Sequence, residues 1–261
     1  MKVAFIPMVP HSGNTCATLL TSMALAYKQA KGVRVCFTGE NRDITKYMGR
    51  DEDEKDVTRS ITQVAKLLQA RAISADELSN YCVKLGPNLE LMDSYAEALT
   101  TGEMQDIMSF VFERSTTDIT ICDCADDYRD PLTQAVLGKC DVVVYVCDPS
   151  YKSLHRVVEF RESPEFKALS KDARQMLLVS EFDPVIKPLK QAAAEAGMTL
   201  RDTCKIRYNP YIAKGCERRD LHSVAVSVFE KDWRVLELYR DLLEITQFLL
   251  SATGEKIRWE E

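Results

Sequence analysis

The chain has 261 residues, of which 46% are hydrophobic and 28% charged. That balance excludes a disordered, collagen-like or low-complexity chain and supplies enough apolar mass for a sizeable core. Lys and Arg number 34 against 40 Asp and Glu, a net charge of −6, which argues against nonspecific binding to nucleic acid or anionic lipid through overall charge.

The chain opens with an apolar run that predicts a strand over 3–8, followed by the small, polar loop Val9-Pro10-His11-Ser12-Gly13-Asn14-Thr15-Cys16. Leu19, Met23, Ala26 and Ala30 then recur at helical spacing, predicting a helix over 16–31 that Gly32 stops. A strand is expected over 33–37, and the charge run 50–56 reads as a solvated loop. Helices are expected over 57–70 and 75–85, the second opened by Ser74 with Glu77 three residues on, a capping box. The remaining strands fall at 89–92, 118–122, 141–147, 176–179 and 204–207. Between and after them, helices are expected over 103–113, 131–137, 153–160, 185–196 and 232–250. Val142 to Val146 is apolar at consecutive positions, so both faces of that strand should be covered. The alternation predicts an α/β, doubly wound, mostly parallel sheet with helices on both faces. One domain over 1–261 is expected, with the helix over 232–250 packed on it.

None of the nine cysteines forms Cys-x-x-Cys, and Cys36, Cys122 and Cys147 sit in apolar runs. That is the pattern of core thiols in a reducing cytosol. With no signal-peptide-like segment and no run of about 18 apolar residues, the expectation is a cytoplasmic protein with no membrane span.

In open α/β sheets, ligands bind beyond the carboxyl ends of the strands. There the first loop has the geometry of a phosphate cradle, with backbone N–H groups and the positive end of the helix dipole directed at an anion. The full motif requires Gly-x-x-x-x-Gly-Lys-[Ser/Thr], but here Asn14 stands where the lysine would be. An ordinary strand-to-helix cap accounts for Ser12-Gly13-Asn14-Thr15 equally well.

Further segments carry a resemblance. They are Gly13-Asn14-Thr15-Cys16-Ala17-Thr18-Leu19, Asp118 to Ala125, Cys140 to Leu154 with its Asp148-Pro149-Ser150, Leu177 to Pro184, and Tyr208 to Gly215. In order and spacing they resemble the ParA/MinD family of deviant P-loop ATPases over most of residues 1–225. The resemblance implies a P-loop NTPase-like fold with ATP or ADP and magnesium as ligands. It places Ser12, Gly13, Asn14, Thr15 and Cys16 at the phosphates, Thr15 and Asp123 at the metal, and Asn209, Pro210 and Tyr211 beside the base. Departures are equally specific. The family's signature lysine falls on Val9 and its loop lysine on Asn14. Its acids after the second strand fall on Phe37 and Gly39, with Glu40 the only acid nearby, and its adenine-reading asparagine falls on Ser180. Phosphoryl transfer depends on positioning and charge neutralisation, and losing one such donor costs about 3–4 kcal/mol. Three losses predict a degenerate member with little or no hydrolysis and no catalytic residue.

The preferred function is a positioning or assembly factor, similar to the branch associated with pilus-type secretion machinery (CpaE/TadZ-like). The alternatives are a slow ATPase of plasmid or chromosome partition and a nucleotide-free interaction scaffold. Protein partners and a homodimer are implied, although the lysine that crosses the family's dimer interface is missing. His11, His155 and His222 lack metal-ligand spacing, and Cys122 and Cys124 read as core thiols. Asp126 and Asp127 read as a polar loop and Asp130 as the cap of the helix opened by Pro131. The basic group Lys205, Arg207, Lys214, Arg218 and Arg219 is diluted by Glu217 and Asp220, which disfavours DNA binding. The tail 251–261 lacks the excess positive charge of an amphipathic membrane anchor.

Overall fold

In a computed structural model, residues 1–38, 47–48, 61–92, 99–114, 116–125, 129–170, 172–252 and 254 are described. Runs that are apolar at every position are stable only between two covering layers, and the central strands meet that condition. β1 (Lys2–Pro7), β5 (Ile119–Asp123) and β6 (Val142–Cys147) lie side by side, with every residue except Lys2 buried. Alternate residues feed opposite faces. Val142, Val144 and Val146 enter one apolar cluster, while Val143, Tyr145 and Cys147 enter the other.

β2 (Val33–Phe37), β3 (Val83–Lys84), β4 (Leu89–Leu91), β7 (Arg174–Phe182) and β8 (Thr203–Arg207) complete the eight-stranded sheet β3-β4-β2-β5-β1-β6-β7-β8. Every pairing is parallel except β3 with β4. One face is covered by α1 (Asn14–Lys28), α9 (Leu221–Phe229) and α10 (Leu236–Ala252). The other carries α2 (Ile61–Gln69), α3 (Thr101–Glu113), α4 (Pro131–Leu137), α5 (Tyr151–Glu162), α6 (Pro164–Leu169) and α7 (Leu189–Glu195). The expected α/β class is therefore found, with helices on both faces. The chain leaves β1 toward β2 on one side and returns to β6 on the other. The reversal opens a crevice above the carboxyl end of β1.

Several expected elements differ. The helix expected over 75–85 is instead a short 3-10 turn (Leu78–Tyr81) followed by β3. Gly86-Pro87-Asn88 turns the chain, Leu85 N–H donates to Leu89 C=O at 2.9 Å, and Lys84 pairs with Glu90 across the hairpin. Arg34 of β2, fully buried, bonds Glu90 Oε1 through Nε at 2.6 Å, and Lys84 bonds Oε2 at 2.6 Å. Ser74 and Glu77 do bond each other, but they close a turn ahead of the 3-10 segment. α1 begins two residues before the expected start and ends at Lys28, because Ala30 takes the left-handed conformation (φ 50°) expected of Gly32. The helix expected over 185–196 starts only at Leu189. The final helix is preceded by a 3-10 turn (Trp233–Val235). α6, α8 (Pro210–Glu217) and α9 were not anticipated. Asp130 caps α4 through Thr133 N–H at 2.8 Å, with Pro131 at its first position, as expected. The charge run 50–56, Gly39, Glu40, Asp126, Asp127 and most of the tail lie outside the described residues.

Candidate functional site

β1 delivers the first loop to the crevice, and two left-handed residues shape it: His11 (φ 62°) and Gly13 (φ 76°). Gly13 is the N-cap of α1 and supplies no side-chain cap. The first-turn amides of this 15-residue helix therefore face the crevice with the positive end of the helix dipole behind them. The loop is tied down from the far side by Ser180 on β7. Its hydroxyl lies 2.6 Å from Ser12 C=O and 2.9 Å from Cys147 C=O. Ser180 is buried, so its hydroxyl is a fixed clamp on the loop.

The Asn14 side chain turns away from the crevice mouth and into the sheet. Its amide donates to Phe5 C=O at 3.2 Å and to Asp123 Oδ1. These two acceptors fix which way the amide points and leave Asn14 Oδ1 buried without a partner, as is Ser12 Oγ. Thr15 Oγ1 donates to Asp123 Oδ2 at 2.6 Å. Both carboxylate oxygens of Asp123 are thus engaged at the carboxyl end of β5, beside the loop. Burial pushes its pKa up to about 6, against the opposing pull of the Thr15 and Asn14 hydrogen bonds. Two neutral donors do not replace a cation: a carboxylate beside Lys or Arg would be drawn down instead.

A cavity of about 430 Å³ opens here. Ser12, Gly13, Asn14, Thr15, Cys16 and Asp123 all line it, together with His11, Phe37, Tyr47, Cys216 and Leu221. Among the described residues that line it there is no lysine or arginine. Asn209, Pro210 and Tyr211 do not line it. Asn209 caps α8, accepting from Tyr211 N–H at 2.8 Å and donating to Arg234 C=O at 3.3 Å. The Tyr211 ring lies under the Arg234 guanidinium, 5.2 Å from its centre. Cys216 and Leu221 reach the cavity from the end of α8 and the start of α9, and Leu221 N–H donates to Tyr47 C=O at 2.7 Å. Sequence reasoning missed these two, although an Asn cap followed by Pro at the first position was a legible start for α8.

No group of three or more His, Cys, Asp or Glu able to hold a metal occurs among the described residues. Of the expected basic group, Lys205 bonds Glu244 at 2.7 Å, and Arg207 bonds Asp241 at 2.8 Å and Glu237 at 2.6 Å, all on α10. These two cations are spent within the protein.

No protein-family model matches the chain, and no curated protein is significantly similar to it in sequence. Solved structures do match. A ParA family ATPase from Chlorobium tepidum superposes with a TM-score of 0.72 at 15% identity, covering 95% of this chain and 98% of the other. The chain has the ParA/MinD ATPase fold. MinD from Pyrococcus horikoshii, complexed with Mg-ADP, matches at 0.70 and 12% identity over 98% of this chain and 100% of its own. The MinC:MinD complex of Aquifex aeolicus matches at 0.69 and 14% identity over 100% and 99%. At such identities the likeness establishes the ParA/MinD fold, while function rests on the site. No described helix is long and apolar enough to cross a membrane.

The cradle suits an anion on its backbone side, and one hydroxyl with one carboxylate suits a magnesium ion that keeps waters and phosphate oxygens as its other ligands. Among the described lining residues there is no side-chain cation to meet a transferring phosphate.

Proposed function

We propose that this chain is a divergent ParA/MinD-type protein that retains the anion cradle, has lost effective ATP hydrolysis, and acts in the cytoplasm as a positioning or assembly factor of the pilus or secretion type. The Asn14–Asp123 hydrogen bond carries the reading. The side chain at the lysine position is committed to the acid and brings no charge to the loop. In this reading the loop from Ser12 to Cys16 takes the phosphates of ATP or ADP, and Thr15 with Asp123 would hold magnesium. The ion, when bound, neutralises phosphate charge. The loop itself offers only the partial charge of a helix end, roughly half an elementary charge. Asn209, Pro210 and Tyr211, at the start of the helix whose end lines the cavity, would border the base.

Protein partners and a homodimer fit this reading, since a structural neighbour is a MinC:MinD complex. A slow ATPase of plasmid or chromosome partition is the second reading, favoured by the retained Thr15–Asp123 contact of 2.6 Å. One neighbour is a plasmid partition protein of Borrelia burgdorferi bound to AMPPNP. Calorimetric titration with ATP and ADP, with and without magnesium, combined with a phosphate-release assay, tests both. Binding with turnover at background supports the first. Turnover abolished by Asp123→Ala supports the second. Absence of binding by either nucleotide at millimolar concentration overturns both and leaves an interaction scaffold.

A further inference from the structure

The crevice lies at the carboxyl end of the sheet. At the amino end a second cavity, of about 660 Å³, opens between the starts of β7 and β8 and the last turns of α10. Two arginines line it: Arg174, the first residue of β7, and Arg201, in the 3-10 turn (Leu200–Asp202) ahead of β8. Arg174 is half-buried and held by two contacts from α10. Its guanidinium lies over the Phe248 ring, 4.0 Å from the centre, and its Nη1 donates to Ser251 Oγ at 2.9 Å.

Both of those partners are neutral, and no described acid forms an ion pair with Arg174 or Arg201. The acids nearby are engaged elsewhere. Glu244, which lines the cavity, is bonded by Lys205 at 2.7 Å. Asp241 and Glu237 hold Arg207 at 2.8 and 2.6 Å, and Glu237 also holds Arg240 at 2.7 Å. In that network three cations meet three acids, so none of its negative charge is left over for the cavity. Asp202 accepts from the Thr199 hydroxyl at 2.7 Å, and Asp141 from the Lys2 amide at 2.7 Å. The carboxyl end of α10 adds only about half an elementary negative charge. The cavity therefore keeps most of the charge of two guanidiniums, in a chain whose net charge is −6.

We propose that Arg174, Arg201 and the cavity they line form a binding site for a phosphate monoester. A guanidinium is a planar fork of donors that matches phosphate oxygens, and it keeps its charge at every working pH. With Nη1 on Ser251 and one face on the Phe248 ring, Arg174 is set in place before a ligand arrives. No described residue accepts from its Nε or Nη2, so those donors are left for an anion. Arg201, exposed and unpaired, brings a second fork from the start of the neighbouring strand. A phosphate dianion matches two such cations in charge. The cavity far exceeds a phosphate group in size and so has room for the organic part of the ester. The Gln247 amide and the second carboxylate oxygen of Glu244 are there to bond its hydroxyls. This site shares no lining residue with the crevice and does not depend on what binds there.

The test is titration of the full, isotopically labelled chain with inorganic phosphate and with glycerol 3-phosphate at constant ionic strength, followed by NMR of arginine Nε–H and backbone amides. The Arg174 and Arg201 signals should move together and saturate at roughly millimolar concentration, while the Gly13 amide reports the crevice separately. Arg201→Gln, at an exposed residue with no ion pair, should weaken binding at least about fivefold and leave Tm unchanged. Arg174→Lys keeps the charge but loses the fork and the ring contact, and should weaken it by about as much. Vesicles of phosphatidylcholine and phosphatidic acid separate the two sources of such a group. Sedimentation of wild type with them, lost in Arg201→Gln, assigns the phosphate to a lipid headgroup; saturable binding of glycerol 3-phosphate without sedimentation assigns it to a free ester. Absence of binding to both solutes and to vesicles, shifts confined to the crevice, shifts at the two arginines that chloride reproduces, or wild-type affinity in both variants would overturn the proposal.

Discussion

Replacing Asp123 by asparagine changes stability in opposite directions at low and neutral pH. Folded Asp123 titrates at about 6, against 3.8 for the ordinary side chain, because burial disfavours its charge. Between those values the folded state holds more of the proton than the unfolded chain does, so unfolding free energy falls as pH rises through the window. The penalty is absent below the unfolded value and complete above about 6. Roughly two units at about 1.4 kcal/mol each give about 3 kcal/mol. The Asp123→Asn variant carries no such slope. Its new amide NH₂ cannot accept from Asn14 or Thr15, however, so one hydrogen bond worth about 1 kcal/mol is lost at every pH. The variant should therefore be less stable than wild type by about 1 kcal/mol near pH 4 and more stable by about 2 kcal/mol near pH 7.5. At roughly 2–4 °C per kcal/mol, Tm near pH 7.5 should rise by about 4–8 °C. Urea denaturation and thermal melting of both proteins across this range, at fixed ionic strength, measure the difference. Asp241, also pushed up to about 6, is present in both proteins and cancels. A difference that is flat with pH, or one that moves against the variant as pH rises, would refute the burial argument.

Asn14→Lys places an ammonium beside Asp123 in the cradle, and affinity for ATP by calorimetry should rise at least about tenfold, roughly 1.4 kcal/mol; unchanged affinity would count against the loop as a phosphate site. Gly13→Ala meets Ser180 Cβ only at ordinary contact, 3.6 Å. Its cost is therefore the left-handed backbone, about 1–2 kcal/mol, read as a fall in Tm. In Gly215→Ala the new Cβ would lie 2.5 Å from Val224 Cγ2, and forcing α8 from α9 should cost about 1–3 kcal/mol. Val224→Ala in the same chain should recover about 1 kcal/mol or more of coupling in a double-mutant cycle.

The strands were legible because their apolar runs are continuous: β2 falls where expected, and the consecutive valines of β6 are buried on both faces. The first loop and Asp123 were legible because a ligand crevice forms at a predictable end of such a sheet. The hairpin at Gly86 was not, because apolar spacing over 75–85 satisfies a helix until the pairing of Lys84 with Glu90 is known. Arg34 gave no warning either, since a charge is expected outside and only its pairing with Glu90 makes full burial tolerable. Ser180 and Cys216 belong to the site through contacts between elements far apart in sequence, and no local spacing encodes that. The inward turn of Asn14 was equally hidden: the residue type was visible, its choice of Asp123 as acceptor was not.

The Ser180 hydroxyl holds two carbonyls, of Ser12 and of Cys147, together. By anchoring Ser12 to the end of β6 it sets the first loop in one shape ahead of any encounter. A ligand arriving there would meet this loop already shaped, so its affinity carries no deduction for freezing the loop. Association should accordingly run as a single kinetic phase, and its heat capacity change should match the area covered by the ligand alone.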